Sequence, residues 1–192
     1  MNKRIIQALF FPFLMFLLFT VSACEKTYSG KVIDADTKEP IEGAVVVASW
    51  REQGTSLAGA ISTFKDVKEN LTDKDGKWTI VGLRETCNNP IALVWQLLGG
   101  TCIKDPEFIV FKPGYCSWPK GFFIDACDGK IQPEGNSKVA GGKPVELSKL
   151  TEREDRLKAQ GIYPDVDAED EKIPNFIRLQ KEERRYLGLD AT

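Results

Sequence analysis

The chain has 192 residues, with 26 basic and 28 acidic side chains and a formal charge of −2. It carries neither a basic stripe nor an arginine-rich helix, so a polyanionic partner such as nucleic acid is not expected. It contains no histidine, which excludes Ser-His-Asp and Cys-His nucleophile systems and every zinc site that needs imidazole.

Residues 1–23 read as a secretory leader. Lys3 and Arg4 give a basic start, and Ile5–Ala23 is a 19-residue stretch without a charge. The basic end stays on the cytoplasmic side while the apolar run enters the bilayer. A run of that length also just spans a hydrocarbon core, but the residues that follow favour a leader. "VSAC" at 21–24 places two small residues before a cysteine, in the manner of a bacterial lipoprotein signal. Small residues fit a peptidase cleft, and the thiol of Cys24 is the nucleophile that accepts a diacylglyceryl group. Several acyl chains on one residue anchor firmly, where a single chain is marginal. Cleavage before Cys24 removes 23 of the 192 residues and leaves 169, enough for one domain with a core. The loss of Lys3 and Arg4 leaves 24 basic against 28 acidic side chains, a net charge of −4.

Residues 24–150 read as one β-domain. "YSGKVID" (28–34) alternates in polarity and ends in the polar turn cluster "DADTKEP" (34–40). "GAVVVASW" (43–50) is rich in β-branched residues, and "LAGAISTF" (57–64) is a weaker strand. "TDKDGKWTI" (72–80) sets an Asp-Gly turn before an alternating strand, a hairpin signal, since glycine adopts positive φ without steric cost. "NNPIALVWQLLGG" (88–100) then breaks the rhythm: Asn89 is placed to cap a helix, Pro90 to open it and Gly99 to stop it. Strand character returns in "EFIVFKPGY" (107–115), and "PVELSKL" (144–150) is the last strand. Short strands separated by turn signals imply an antiparallel β-sandwich of about seven strands.

Residues 151–192 read as a helical extension. Thr151 and Glu154 have the spacing of a capping box, and Gly161 is placed to end that helix. The acidic stretch "DVDAEDE" (165–171) reads as a solvated linker. Pro174 opens a second helix, with Phe176, Leu179 and Tyr186 on one face.

The ordered set "SGKVIDADTKEPIEGAVVV", "LTDKDGKWTIVGL" and "FKPGY" resembles the carboxypeptidase regulatory-like domain, a transthyretin-like (prealbumin-like) β-sandwich module. The matching pieces are Gly30, the turn at 34–37, "PIEGA" (40–44), "TDKDG" (72–76) and "PGY" (113–115). The resemblance covers about residues 27–115. It implies an accessory module of the kind that rides on carboxypeptidases, outer-membrane receptors and small lipid-anchored proteins. It implies no catalytic residue. Two enzyme types built on similar sandwiches, hydroxyisourate hydrolases and intradiol dioxygenases, look to histidine, which this chain lacks.

Five cysteines are an odd number. With Cys24 lipidated, Cys87, Cys102, Cys116 and Cys127 remain for two disulfides, as suits an exported domain. Three connectivities are open, and Cys87–Cys102 with Cys116–Cys127 is the preferred one. No CxxC pair occurs, which argues against a redox dithiol or a four-cysteine zinc knuckle. Asp34, Asp36, Asp73 and Asp75 sit in turn contexts that keep carboxylates solvated, not in apolar pockets that would make general acids of them. Asp73-Lys74-Asp75-Gly76 lacks the further oxygen ligands and terminal bidentate acid of a calcium loop. No metal or other cofactor is expected.

Two segments are left as binding candidates. Ile91, Val94, Trp95 and Leu98 belong to a short helix that is apolar all round, which either plugs an end of the sandwich or presents a patch to a partner. Tyr115 and Trp118 are either core residues or a platform for stacking a sugar. The leading expectation is a lipid-anchored, non-catalytic binding or assembly module of a bacterial cell envelope, facing the periplasm, with an envelope protein or a glycan as partner. The rivals are a carbohydrate-active enzyme or carbohydrate-binding protein using surface carboxylates and aromatics, and a purely structural spacer. Two acids facing each other in a cleft would favour the enzyme; a fully covered 84–105 insertion would favour the spacer.

Overall fold

The structure is a computed structural model, and it describes residues 25–56, 59–119, 127, 142–159 and 168–189. The expected leader, Cys24 and Gly161 lie outside the described residues.

Among the described residues seven strands form two sheets: β1 (Glu25–Asp34), β2 (Val45–Ser56), β3 (Gly59–Leu71), β4 (Lys77–Leu83), β5 (Thr101–Ile103), β6 (Glu107–Phe111) and β7 (Val145–Leu147). One sheet has the order β4-β1-β7; in the other, β2 pairs with β3 on one edge and with β5 and β6 on its other. All pairs are antiparallel except β1 with β7, where Val32, Ile33 and Asp34 run parallel to Val145, Glu146 and Leu147. The mainly β sandwich expected from the sequence is present, with this one parallel pair added.

Alternation explains the two cores. On β2, Val46, Ala48 and Trp50 point between the sheets, where they meet Tyr28, Val32, Trp78, Ile80, Phe108, Val110 and Leu147. Val45 and Val47 point the other way and join Val67, Phe111, Ile173, Phe176 and Leu179 in a second apolar layer. The second layer is closed by helix α3 (Pro174–Tyr186), so the tail is the third layer of the fold and shares its core. Its N-terminus is held by Glu69 of β3, whose carboxylate accepts from the amides of Asn175 and Phe176 at 2.7 and 2.9 Å.

The Asp-Gly turn does not make a hairpin. β3 and β4 lie in different sheets, so residues 72–76 form a corner that carries the chain across the sandwich. Asp73 Oδ1 accepts from the amides of Asp75 and Lys77 at 2.9 and 2.8 Å, which fixes the bend. Gly76 has φ +72°, and a Cβ there would lie 2.3 Å from the Val32 carbonyl oxygen. The corner delivers Trp78 and Ile80 to the core, as their alternation implies. The inner-face positions of β3 are polar, and Asn70 and Lys68 donate to the Thr79 and Val81 carbonyls of β4, each at 2.7 Å. Side chains thus satisfy the exposed edge of β4 where a ladder would otherwise run.

The C-terminal region departs from expectation at two points. Helix α2 (Arg153–Lys158) starts after Glu152, and no side chain caps it; the Thr151–Glu154 box does not form because the helix begins one residue too late, with Glu152 and not Thr151 at the cap position. Tyr186 is 63% exposed and not on the buried face of α3. That face is occupied by Phe176, Leu179, Glu183 and Leu187, and the Tyr186 ring lies against the Arg156 guanidinium at 3.7 Å.

Candidate interaction surface

At the Trp50/Arg51 step the β2–β3 register shifts by a bulge, and the strands run on past the end of the facing sheet. Gly82, next to the last residue of β4, lies against the Trp50 ring; a Cβ there would sit 2.2 Å from it. Beyond this point β2 residues Glu52, Gln53 and Gly54 pair with β5 residues Ile103, Cys102 and Thr101. β5 has no counterpart among the strands read from the sequence. Three residues are too short for an alternation to register, and a partner strand creates them.

Between β4 and β5 stands helix α1 (Pro90–Leu97). Asn89 caps it through its side chain, which accepts from the Ile91 amide at 2.9 Å, and Pro90 opens it. Gly99 follows it at φ +85°. The base of the excursion is closed by the Cys87–Cys102 disulfide. The second disulfide joins Cys116 to Cys127, beside Leu150 and Ala159. Both pairings are the preferred ones, and all four cysteines expected to pair do so.

The polarity of α1 is inverted. Its polar residue, Gln96, turns inward, donating from its side chain to Cys102 Sγ while its backbone carbonyl accepts from the Thr55 hydroxyl at 2.8 Å. Ile91, Val94, Trp95 and Leu98, spaced i, i+3, i+4 and i+7, form the stripe that a surface helix normally buries. They are 74%, 58%, 59% and 76% exposed, and Leu97 beside them is 78% exposed. Burying one such side chain gains ~1.5–3 kcal/mol, so leaving four of them in water forgoes several. The plug reading of this helix is not what the structure displays: α1 stands on the arm with this stripe outward, and its described inward contact is Gln96 on the buried Cys102, outside the inter-sheet core. Trp95 is held in place nonetheless, because its indole lies over Gly100, where a Cβ would fall 2.1 Å from the ring.

Polar contacts surround the helix without entering its face. Glu52 accepts from Thr101 and pairs with Lys65 at 3.2 Å, and these bonds hold its carboxyl below the usual range. Lys26 pairs with Glu85 at 2.7 Å, which raises the lysine; Glu85 is pushed up by burial, but that pairing wins and lowers it. Residues 86–103 contain no charged side chain at all.

Tyr115 and Trp118 are not part of this surface. β6 runs antiparallel to β2, with Phe111 opposite Val45 and Glu107 opposite Ser49. The chain beyond Phe111 is therefore at the far end of the sandwich from α1. There Trp118 bridges Val110 and rests half-buried on the inter-sheet core, and Tyr115 bridges Lys149 and packs against the same core, with its phenol close enough to Asp34 to favour the ionised carboxylate. The six candidate residues thus divide into an exposed helical stripe and two core-edge aromatics.

Two acids are buried among the described residues, Asp34 and Glu183. Asp34 accepts from the amides of Thr37 and Asp36 at 3.0 and 2.8 Å, which, with Tyr115, lowers its carboxyl against the effect of burial. Glu183 accepts from Arg156 Nε at 2.8 Å and from the Gly114 amide at 3.1 Å. Neither stands in an apolar pocket as a protonated acid would. Among the described residues no group of three His, Cys, Asp or Glu is arranged to hold a metal ion, and no helix is long and apolar enough to cross a membrane. Comparison with family models, curated proteins and solved structures gave no match for this chain.

Proposed function

We propose that this protein is a lipid-anchored, non-catalytic module of a bacterial cell envelope, held through Cys24, that works by presenting the apolar arm formed by residues 84–105. The observation that carries this is the outward stripe of Ile91, Val94, Trp95 and Leu98 on a helix clasped by the Cys87–Cys102 disulfide. A spacer has no use for an arm whose apolar residues face water, so that rival is disfavoured. The enzyme reading is disfavoured by chemistry: histidine is absent from the chain, and the two buried acids are occupied by amides, a phenol and a guanidinium. The resemblance to carboxypeptidase regulatory-like modules points the same way. The test is fractionation with mass analysis. The native protein should sediment with membranes and carry acyl mass on an N-terminal Cys24, and Cys24→Ser should release it. Unchanged membrane association of that variant would remove the anchor from this reading.

A further inference from the structure

The stripe on α1 and the start of β1, where Glu25 follows the proposed lipidation residue in the sequence, lie at the same end of the molecule. Glu25, the residue after Cys24, is paired with Leu83, the last residue of β4. The Lys26–Glu85 ion pair and the bond from the Tyr28 hydroxyl to the Leu83 carbonyl, 2.7 Å, fix that corner. The chain leaves the corner at Arg84 and enters α1 at Pro90. Seven residues reach at most about 25 Å, and a neighbouring strand adds about 5 Å, so Glu25 and the start of α1 are at most ~30 Å apart. Trp78 and the 72–76 corner are at the other end, because β4 begins there.

We infer that the occupant of the α1 stripe is the lipid surface in which Cys24 is anchored: α1 lies in the bilayer interface as a second, non-covalent contact. This rests on the proposed lipidation of Cys24. Acyl chains on Cys24 bring this end of the sandwich to the membrane, where a helix with its apolar side outward meets acyl chains and not water. Eight residues are ~12 Å long, too short to span a bilayer, so α1 lies along the interface. A tryptophan at its centre suits the headgroup boundary. With no charge in residues 86–103, the attraction is apolar, and salt does not screen it. Two attachments fix the tilt of the sandwich relative to the membrane, where a single point of attachment leaves it free.

The test uses the full lipidated protein reconstituted into phosphatidylethanolamine–phosphatidylglycerol vesicles, with and without brominated acyl chains. The Trp95 signal is taken as the difference between wild type and Trp95→Phe. That signal should shift to the blue and fall about twofold or more on bromolipid, equally at low and high salt, as expected for an apolar interfacial contact. Val94→Ser/Leu98→Ser, whose changes are on the exposed face, should keep the far-ultraviolet circular dichroism and vesicle binding of wild type but lose the quenching. A Trp95 signal that stays open to acrylamide and blind to bromolipid, in protein that carries acyl mass and sediments with vesicles, overturns the inference and leaves the anchor standing. Absence of acyl mass on Cys24 overturns both. Concentration-dependent dimerisation of the Cys24→Ser protein that Val94→Ser/Leu98→Ser abolishes would assign the stripe to a second copy and overturn the bilayer assignment.

Discussion

The Glu69 carboxylate accepts from the Phe176 amide at 2.9 Å, a bond between residues 107 positions apart that joins a strand edge to the start of a helix. Together with the bonds to the Asn175 amide and side chain, it supplies a cap that α3 lacks in its own sequence, since Ile173 at the cap position offers no acceptor. A negative group at a helix N-terminus also meets the positive end of the helix dipole.

Glu69→Ala should therefore destabilise the protein by ~1–2 kcal/mol, the usual scale for losing a cap. Glu69→Gln should retain part of this, because its amide oxygen still accepts one bond. Urea unfolding of the three proteins measures it. Equal stability of Glu69→Ala and wild type would show that α3 is held by its apolar face alone.

The Arg156–Glu183 pair joins α2 to α3, with side chains 13% and 3% exposed. Glu183, hydrogen-bonded by the guanidinium, raises Arg156, and the Tyr186 ring stacks on its face. Removing one member leaves the other charge buried, so Arg156→Met should lose about 3–5 kcal/mol. Arg156→Met/Glu183→Leu should recover most of that loss, because no uncompensated charge remains. A double variant no more stable than the single one would place the loss in packing and not in charge. Thermal unfolding of the four proteins in the cycle gives the answer.

Asp34 makes the acid limb of the stability profile predictable in sign. The amides of Thr37 and Asp36 and the Tyr115 hydroxyl hold its folded carboxyl below the unfolded value of about 3.9. A lowered folded value means that the unfolded state binds the proton first as pH falls. The contribution is complete above the unfolded value and is lost as pH drops from there through the folded one. Asp34→Asn keeps an acceptor for the turn amides but cannot titrate. Its stability should vary less than that of wild type between pH 5 and pH 2 in urea titrations. Glu52 and Glu85, which are also lowered, leave a residual slope in both proteins. Identical slopes would remove Asp34 from the acid limb.

The sequence carries the sandwich clearly because alternation is a local property: Val46, Ala48 and Trp50 face one way and Val45 and Val47 the other. The helix at Pro90 is also legible, since its cap, its opening proline and Gly99 are all adjacent. The errors come where a distant partner decides the outcome. "TDKDG" specifies a tight bend, but whether the bend joins strands of one sheet or crosses between two depends on where β1 and β2 find their partners. Tyr186 has the spacing of the α3 core face, and Arg156, thirty positions earlier, draws its ring outward. The candidate surface was legible as a list of apolar residues but not as an orientation. What turns the stripe outward is Gln96, bonded to Cys102 and Thr55, and no short-range signal announces those contacts.

The Cys87–Cys102 disulfide closes a 15-residue separation around α1. In the chain-entropy model a loop of that size stabilises the fold by about 3 kcal/mol. Cys87→Ser/Cys102→Ser should lower the local stability of the arm by up to about that much, while the urea midpoint of the sandwich changes little. Cys102 is buried, yet neither cysteine belongs to the inter-sheet core, and the backbone bonds of the clasp, from the amides of Thr86 and Cys87 to the Ile103 carbonyl at 2.8 and 3.1 Å, remain available. Hydrogen exchange separates the two levels. Amides of α1 and β5 should exchange faster in the variant, while those of Val46, Ala48 and Val110 keep the protection expected of core strands. Uniform loss of protection across both sheets would instead make the arm part of the cooperative core, and an exposed stripe on it would then be held as rigidly as the sandwich itself.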